Sequence, residues 1–383
     1  MTNPTDKVLS AIKKVYSDLN TRRSFDSNPL ADLSLLENGL ALITNPISSK
    51  YHEAIVNRIL VSYHKAKAEQ KNVPPAYKPG GEWDIDIKTR RANYLKALAD
   101  NDIPSLSNLL KNFFRNSGAA GLLSYAYHQD IIDGNASRKR RFVNCILQDF
   151  TVWKDFVDNA DVGNLSVPPI GNPWGYIIEG NLITSNSCRH HYYASHVKNL
   201  LIDVRRPVVA EIGGGYGGLA HYLLSSVKPC KYIDFDLPEV LLVAQYYLMN
   251  AFPEKKILLF GETEGMDISF NTLDKYDIIL MPNFQLPRLA PDSADLFINV
   301  GSLSEMDYST IEEYLSQITR ICKLYFFHDN SEDAEPKGGG HIEVPASKFP
   351  ISKNAFKRIY KSKSLWATSE RYREYLYQTL KGS

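Results

Sequence analysis

Cysteine is scarce in this chain, with four among 383 residues. Cys145, Cys188, Cys230 and Cys322 form no CxxC pair and no Cys/His grouping at zinc spacing. That excludes a disulfide framework and a cysteine-ligated structural zinc, and it fits a reducing compartment. Long apolar runs are missing as well, so no segment reads as a bilayer span. Charge of one sign is not in excess, because 44 Lys and Arg offset 43 Asp and Glu. No global attraction to a membrane surface or a polyanion follows, and nucleic acid is not an expected partner. There is no internal period, and 44% hydrophobic with 23% charged residues is an ordinary balance. Repeat-array, collagen-like and disordered readings are thereby set aside. The start, Met1 to Lys7, lacks a basic stretch followed by an apolar one and does not read as a signal peptide. The expected location is the cytoplasm.

The length is about two and a half typical domains, which predicts two parts. Residues 1–165 read as a helical N-terminal region, with helical periodicity over 8–19, 54–68, 103–123 and 141–157. The stretch Val73-Pro-Pro-Ala-Tyr-Lys-Pro-Gly-Gly81 interrupts it. The run Arg138-Lys-Arg-Arg141 reads as a solvated helix start. Residues 166–187 have the texture of a Pro-, Asn- and Ser-rich loop, and 192–201 is helical again.

From Arg206-Pro207 onward strands and helices alternate. Strands are predicted over 208–212, 231–235, 256–260, 276–281, 295–300 and 324–328, with two more over 365–368 and 374–380. Helices are predicted over 219–226, 238–250 and 310–321. Strands separated by helices of that length form a parallel sheet covered on both faces. The predicted fold class is therefore α/β and Rossmann-like, with the part spanning 166–383 carrying the catalytic sheet.

The sharpest motif is Glu211-Ile-Gly-Gly-Gly-Tyr-Gly-Gly-Leu219, a hydrophobic strand that runs into glycines and then a helix. Glycine allows a tight turn and lets a ligand approach the backbone beside a helix start. Gly213, Gly215 and Gly218 satisfy the GxGxxG spacing of a dinucleotide site. Glu211, Gly213, Gly215 and Gly217 also fit the acidic-x-Gly-x-Gly-x-Gly loop of class I S-adenosylmethionine-dependent methyltransferases. A carboxylate two residues before the first glycine accepts from a cofactor ammonium and repels a pyrophosphate. Asp236, nineteen residues after Gly217 at the end of the next strand, stands where a ribose-binding acid belongs. Taken alone it also suits a turn aspartate ahead of Pro238.

Together these segments, with Asp236-Leu-Pro-Glu239, Ile298-Asn-Val-Gly-Ser-Leu-Ser-Glu-Met306 and Gly171-Asn-Pro-Trp-Gly175, resemble the sugar O-methyltransferases. These bacterial enzymes are encoded among surface-polysaccharide or glycosylated-product genes. The likeness covers about residues 171–330. It implies a seven-stranded methyltransferase sheet, S-adenosyl-L-methionine as cofactor, and a sugar hydroxyl as acceptor in capsule or lipopolysaccharide synthesis. The acceptor would be a nucleotide sugar, an oligosaccharide or a polysaccharide end. Expected cofactor-binding residues are Glu211, Gly213, Gly215, Tyr216, Gly217, Asp236, Leu237, Asn283, Phe284 and Asn299. Asn283 and Phe284 are placed to bond and stack the adenine.

In such a sheet ligands sit beyond the carboxyl ends of the strands, which selects the candidate bases. Glu305 is first, followed by His328 and Asp329, with His191 from Arg189-His-His-Tyr-Tyr193 as an outlying fourth. Each has a structural alternative: a helix-start carboxylate for Glu305 and a satisfied wall residue for His328. His190 and His191 cannot both face inward on a helix. A glycine-rich stretch, Gly338-Gly-Gly-His341, reads as a lid. No metal-ligand spacing occurs, so no metal is predicted. Nine Lys and Arg against two Glu over 346–383 read as a solvated surface, or as an attraction for an acidic acceptor. The alternatives are the same fold acting on a non-sugar molecule, an NAD-dependent oxidoreductase, and a silent cofactor-binding scaffold. A homodimer through the helical region is the expected assembly.

Overall fold

The computed structural model describes residues 4–42, 49–158, 160–227, 229–263, 268–336, 342–366 and 370–381. Eight helices open the chain: α1 Pro4–Ser27, α2 Leu33–Gly39, α3 Ser49–Gln70, α4 Gly81–Thr89, α5 Ala92–Ala99, α6 Ile103–Lys111, α7 His128–Ile132 and α8 Ala136–Phe156. A hairpin of β1 (Tyr176–Ile178) and β2 (Asn181–Ile183) leads into α9 (Ser187–Leu200). The sheet then follows as β3 (Val208–Ile212), α10 (Gly218–Ser226), β4 (Lys231–Asp236), α11 (Pro238–Ala251), β5 (Ile257–Leu259), α12 (Phe270–Lys275) and β6 (Ile278–Pro282). It closes with β7 (Ala294–Val300), α13 (Tyr308–Ile321), β8 (Cys322–Ser331), β9 (Phe356–Lys363) and β10 (Tyr372–Thr379).

The main sheet has the order β5-β6-β4-β3-β7-β8-β10-β9. The first six are parallel, and β10 lies antiparallel between β8 and β9. This is a Rossmann-like α/β sheet with a mostly helical N-terminal region. Strands β3 and β6 are buried along their whole length, as expected when helices cover both faces. The chain steps from β3 to β4 on one side and returns to β7 on the other, so the crevice at their carboxyl ends is the switch point.

Each face of the sheet has its own apolar cluster. One joins α9–α11 with residues of the N-terminal helices, among them Ile59, Tyr94, Phe113 and Trp153 beside Tyr193, Leu219 and Tyr246. The other packs Ile311, Leu315 and Ile318 of α13 on Phe297, Phe326, Tyr375 and Tyr377.

Four differences from the sequence reading have physical causes. The sheet has eight strands, as many as the segments read as strands after residue 206, and not the seven that the resemblance implied, because Ile257–Leu259 and Ile278–Pro282 join the same edge. The outermost strand is Phe356–Lys363, where the exposed Lys357, Arg358, Lys361 and Lys363 hide the alternation and guard an edge. It is not 365–368, of which Ala367 and Thr368 lie outside the described residues. The hairpin at 176–183 sits in a stretch read as loop. Its turn puts Glu179 at φ 49 and Gly180 at φ 79, the two positive angles a tight hairpin needs. Finally, α6 stops at Lys111, and two short 3₁₀ turns, Phe113–Arg115 and Ser117–Ala119, replace the rest of the predicted helix. Asn116 caps the second turn by accepting from the Gly118 amide at 2.8 Å, a local bond that competes with helix. The predicted lid at 338–341 lies outside the described residues.

Candidate functional site

A cavity of about 550 Å³ opens at the carboxyl ends of β3, β4, β6 and β7. Gly213 and Gly215 line it from the loop after β3, Asp236 and Leu237 from the end of β4, and Asn283 from the end of β6. Val300, Ser302 and Glu305 close the side after β7. The helical region supplies the roof through Pro75, Ala76, Trp83, Leu122 and Ser124, and Arg189 enters from the first turn of α9.

The glycine loop is shaped by necessity. Gly213 has φ +76, and a Cβ there would stand 2.4 Å from the Ser302 hydroxyl. Gly215, at φ +64, passes beneath Leu122. Four of the loop's amides are occupied within the protein. Gly213 donates to the Phe235 carbonyl at 3.0 Å and Gly217 to the Gly214 carbonyl at 3.0 Å. Gly214 donates to Asp234 and Gly215 to Asp236, both at 3.1 Å.

Three carboxyl groups lie under that loop, Glu211 beside Asp234 in register and Asp236 farther along the strand. All are buried, and their titrations rise because burial disfavours the charged form. Glu211, bonded by the Tyr232 hydroxyl at 2.5 Å, is pushed up to about 7. Asp234 rises well above the usual carboxylate range, with Asp236 and Glu211 adding repulsion. Asp236 rises to about 7, although the Leu237 and Gly215 amides and the buried Arg91 guanidinium hold it back. Its Oδ1 accepts from Leu237 at 2.7 Å. Of the three, Asp236 is the one that lines the cavity.

Asn283 donates to the Tyr314 hydroxyl at 2.8 Å and the Tyr77 carbonyl at 3.2 Å. Those bonds fix the amide, and its buried Oδ1 has no hydrogen-bond partner among the described residues. An acceptor without a donor at the cavity wall suits an amino group of a ligand. Glu305, at the end of a 3₁₀ turn (Leu303–Glu305), accepts from the Trp83 indole N–H at 2.9 Å.

The remaining expected residues stand elsewhere. The carboxyl of Glu211 faces Tyr232 inside the sheet. Tyr216 turns into an aromatic group with Phe113, Phe114 and Tyr247. Gly217 caps α10, where a Cβ would meet Leu248. Phe284 packs edge-on against Phe260 in the core. Asn299 is fully buried and ties Ile212, Ser302 and Asn330 together, so it shapes the cavity floor from below. His328 is stacked 4.7 Å from Tyr375 among aromatic rings, and burial pushes its imidazole down to about 3. Asp329 accepts from Tyr193 and Ser364 on the α9 side of the sheet, and burial raises its carboxyl. His191 accepts from the Trp153 indole at 3.0 Å, and burial brings it down to about 4. Its neighbour His190 is half-buried. Thus Gly213, Gly215, Asp236, Leu237, Asn283 and Glu305 meet in one cavity, and the other eight do not line it.

Sequence reasoning missed Trp83, Arg371 and Tyr372, and it reached Ser302 only as a residue after a strand end and Arg189 only as part of the 189–193 cluster; all five line the cavity. The Pro/Gly break at 73–81, which leads into the first turn of α4, was the available signal for the first, since such breaks place the residues beside them near binding loops. Arg189 stood in a cluster whose histidines drew attention instead. Among the described residues, no group of three or more His, Cys, Asp or Glu could hold a metal ion. No described helix is long and apolar enough to cross a membrane.

No protein-family model and no curated protein matches the chain. Solved structures do. The N-methyltransferase NodS from Bradyrhizobium japonicum WM9, in complex with S-adenosyl-L-homocysteine, is 11% identical with a TM-score of 0.34, covering 61% of this chain and 99% of its own. Magnesium protoporphyrin IX methyltransferase (ChlM) from Synechocystis PCC 6803, with the same compound bound, is 12% identical with a TM-score of 0.35, covering 60% and 98%.

Proposed function

We propose that this chain is an S-adenosylmethionine-dependent O-methyltransferase acting on a sugar hydroxyl. The observation that carries the cofactor half is the occupation of the glycine-loop amides by Asp234 and Asp236. A dinucleotide needs such amides free to cradle its pyrophosphate. Here carboxyl groups fill that place, and a pyrophosphate would find the Gly214 and Gly215 amides already spent. A cofactor without phosphate fits the same loop. Solved neighbours described with bound S-adenosyl-L-homocysteine accord with this reading.

The residues present suit that cofactor. Asp236 would accept from the ribose hydroxyls, and the orphaned Asn283 Oδ1 from the adenine amino group. Gly213 and Gly215 would let it approach the backbone. When bound, S-adenosylmethionine supplies a methyl group on a sulfonium that leaves readily. The protein's task is then to hold a hydroxyl oxygen in line with that methyl, and positioning is the larger contribution. Glu305 would take the hydroxyl proton during attack, worth roughly 10²–10⁴-fold, with the Trp83 N–H fixing its carboxylate. The N-terminal segments Pro75 to Trp83 and Leu122 to Ser124 would shape the acceptor side. The sugar assignment rests on the resemblance over residues 171–330, with Trp83 and Tyr372 as stacking faces in the cavity.

Calorimetric titration with S-adenosylhomocysteine, with NAD in parallel, tests the cofactor. The expected result is binding of the first, lost in Asp236→Ala; binding of NAD alone overturns the reading. Methyl transfer from S-adenosylmethionine to a panel of nucleotide sugars, oligosaccharides and non-sugar hydroxyl compounds tests the acceptor. Turnover confined to the non-sugar members would remove the sugar and leave the methyltransferase.

A further inference from the structure

Three cations line the cavity: Lys78, Arg189 and Arg371. Two are already engaged. Lys78 donates to the Lys71 carbonyl at 3.0 Å, and Arg371 pairs with Glu335 and Glu343. Arg189 has no hydrogen bond and no ion pair among the described residues, and its Nε is buried without an acceptor. Burial raises the nearby Asp329 carboxyl and the Arg189 charge holds it down, but that carboxyl makes its hydrogen bonds elsewhere. Asp329 accepts from Tyr193 and Ser364, and Glu305 accepts from Trp83.

A guanidinium carries five donors in a planar fork, and a buried donor left unpaired costs about 1–3 kcal/mol. Its geometry matches the two oxygens of a carboxylate or phosphate. The acidic lining of the cavity, Asp236, Glu305 and Asp307, suits hydroxyl and amino donors, so Arg189 adds the opposite sign at a separate point.

We propose that Arg189 is the anion-receiving point of this cavity, binding a carboxylate or phosphate group of the bound ligand. This rests on the cavity being the ligand site proposed above. Two sources share that chemistry: the α-carboxylate of the cofactor's methionine part, and an acidic group on the acceptor, such as a uronic acid or a sugar phosphate.

Wild type, Arg189→Gln and Arg189→Lys are titrated calorimetrically with S-adenosylhomocysteine and with 5′-methylthioadenosine, which lacks the amino-acid part. Inorganic phosphate is then titrated into protein saturated with S-adenosylhomocysteine. If the cofactor supplies the anion, Arg189→Gln weakens S-adenosylhomocysteine about 10- to 100-fold and leaves methylthioadenosine unchanged. If the acceptor supplies it, S-adenosylhomocysteine is unaffected, and the saturated wild type binds phosphate while Arg189→Gln does not. Arg189→Lys keeps the charge, loses the fork and recovers part of either loss. Identical titrations of wild type and Arg189→Gln with all three probes overturn the proposal. Should wild type fail to bind S-adenosylhomocysteine, the cofactor reading falls. Phosphate titrated into the ligand-free protein then decides Arg189 separately, and phosphate binding of equal strength in Arg189→Gln overturns it.

Discussion

The Trp83 indole nitrogen donates to Glu305 Oε2 at 2.9 Å, joining a helix of the N-terminal region to the carboxylate that follows β7. The two residues are 222 positions apart in sequence. The bond orients one Glu305 oxygen and leaves the carboxylate at the cavity edge. Trp83→Phe keeps the ring and removes the donor. A charged hydrogen bond is worth about 1.5–3 kcal/mol, so turnover is expected to fall about 10- to 100-fold with S-adenosylhomocysteine affinity unchanged. Glu305→Gln is expected to fall further, about 10²–10⁴-fold. Methyl-transfer rates with the acceptor identified by the panel check both: an undiminished rate in Glu305→Gln removes Glu305 as the base, and one in Trp83→Phe removes the role of the hydrogen bond.

His328 offers the contrasting case. It lies among Tyr375, Tyr377, Phe326 and Phe349, with its Nε2 unpaired and the imidazole held neutral by burial. His328→Phe removes an unsatisfied nitrogen and keeps an aromatic ring. Turnover is expected to stay within about threefold of wild type, since no charge or donor reaches the cavity. A loss comparable to that of Glu305→Gln would restore His328 as a participant.

Asp236 titrates near 7 in the folded protein, so its ionised fraction changes within the working pH range. A carboxylate is the better acceptor for two ribose hydroxyls, and protonation replaces one acceptor site with a donor. Affinity for S-adenosylhomocysteine is therefore expected to weaken below about pH 7, approaching tenfold per unit. Asp236→Asn should bind about 10- to 100-fold more weakly at high pH and show a flat profile. Calorimetry at about pH 6 and about pH 8 distinguishes the two, and equal pH dependence in both proteins would assign the titration elsewhere.

Glu374 faces Asp329 across β10 and β8 and is pushed up to about 8, first by burial and then by Asp329. In the unfolded chain a glutamate titrates near ~4.3. Between those values the folded state holds the proton that the unfolded state has lost, so stability falls as pH rises. Histidines such as the buried His191 and the half-buried His196 and His221, each lowered to about 4 by removal from water, act in the opposite direction at acid pH. A difference between variants cancels them. Relative to wild type, Glu374→Gln is expected to gain several °C in Tm between about pH 5 and about pH 8. A Tm difference that does not change with pH would contradict the shift.

The order of strands and helices after residue 206 was readable because buried parallel strands are continuous apolar runs and the helices between them have a different period. Gly213, Gly215 and Asp236 were readable for a related reason. Backbone angles and a strand-end position are set within some twenty-five residues of chain. Asn283 and Glu305 followed from the rule that ligands sit beyond strand ends. That rule also pointed at His328 and Asp329, and there it could not say which side of the sheet each side chain takes. Burial among Tyr375 and Phe349 on one face and Tyr193 and Ser364 on the other decided it, through strands and helices far away in sequence. Tyr216 and Phe284 likewise follow the apolar packing around them.

What the sequence by itself determined was the Rossmann-like sheet, its glycine turn and the acid at the end of β4, all properties of local spacing and period. Tertiary structure alone decided that two loop amides are spent on Asp234 and Asp236, that Trp83 holds Glu305, and that Arg189 stands without a partner among the described residues in the same cavity. Those are contacts between distant segments, and they exist because packing both faces of the sheet brings the N-terminal helices over the carboxyl ends of its strands.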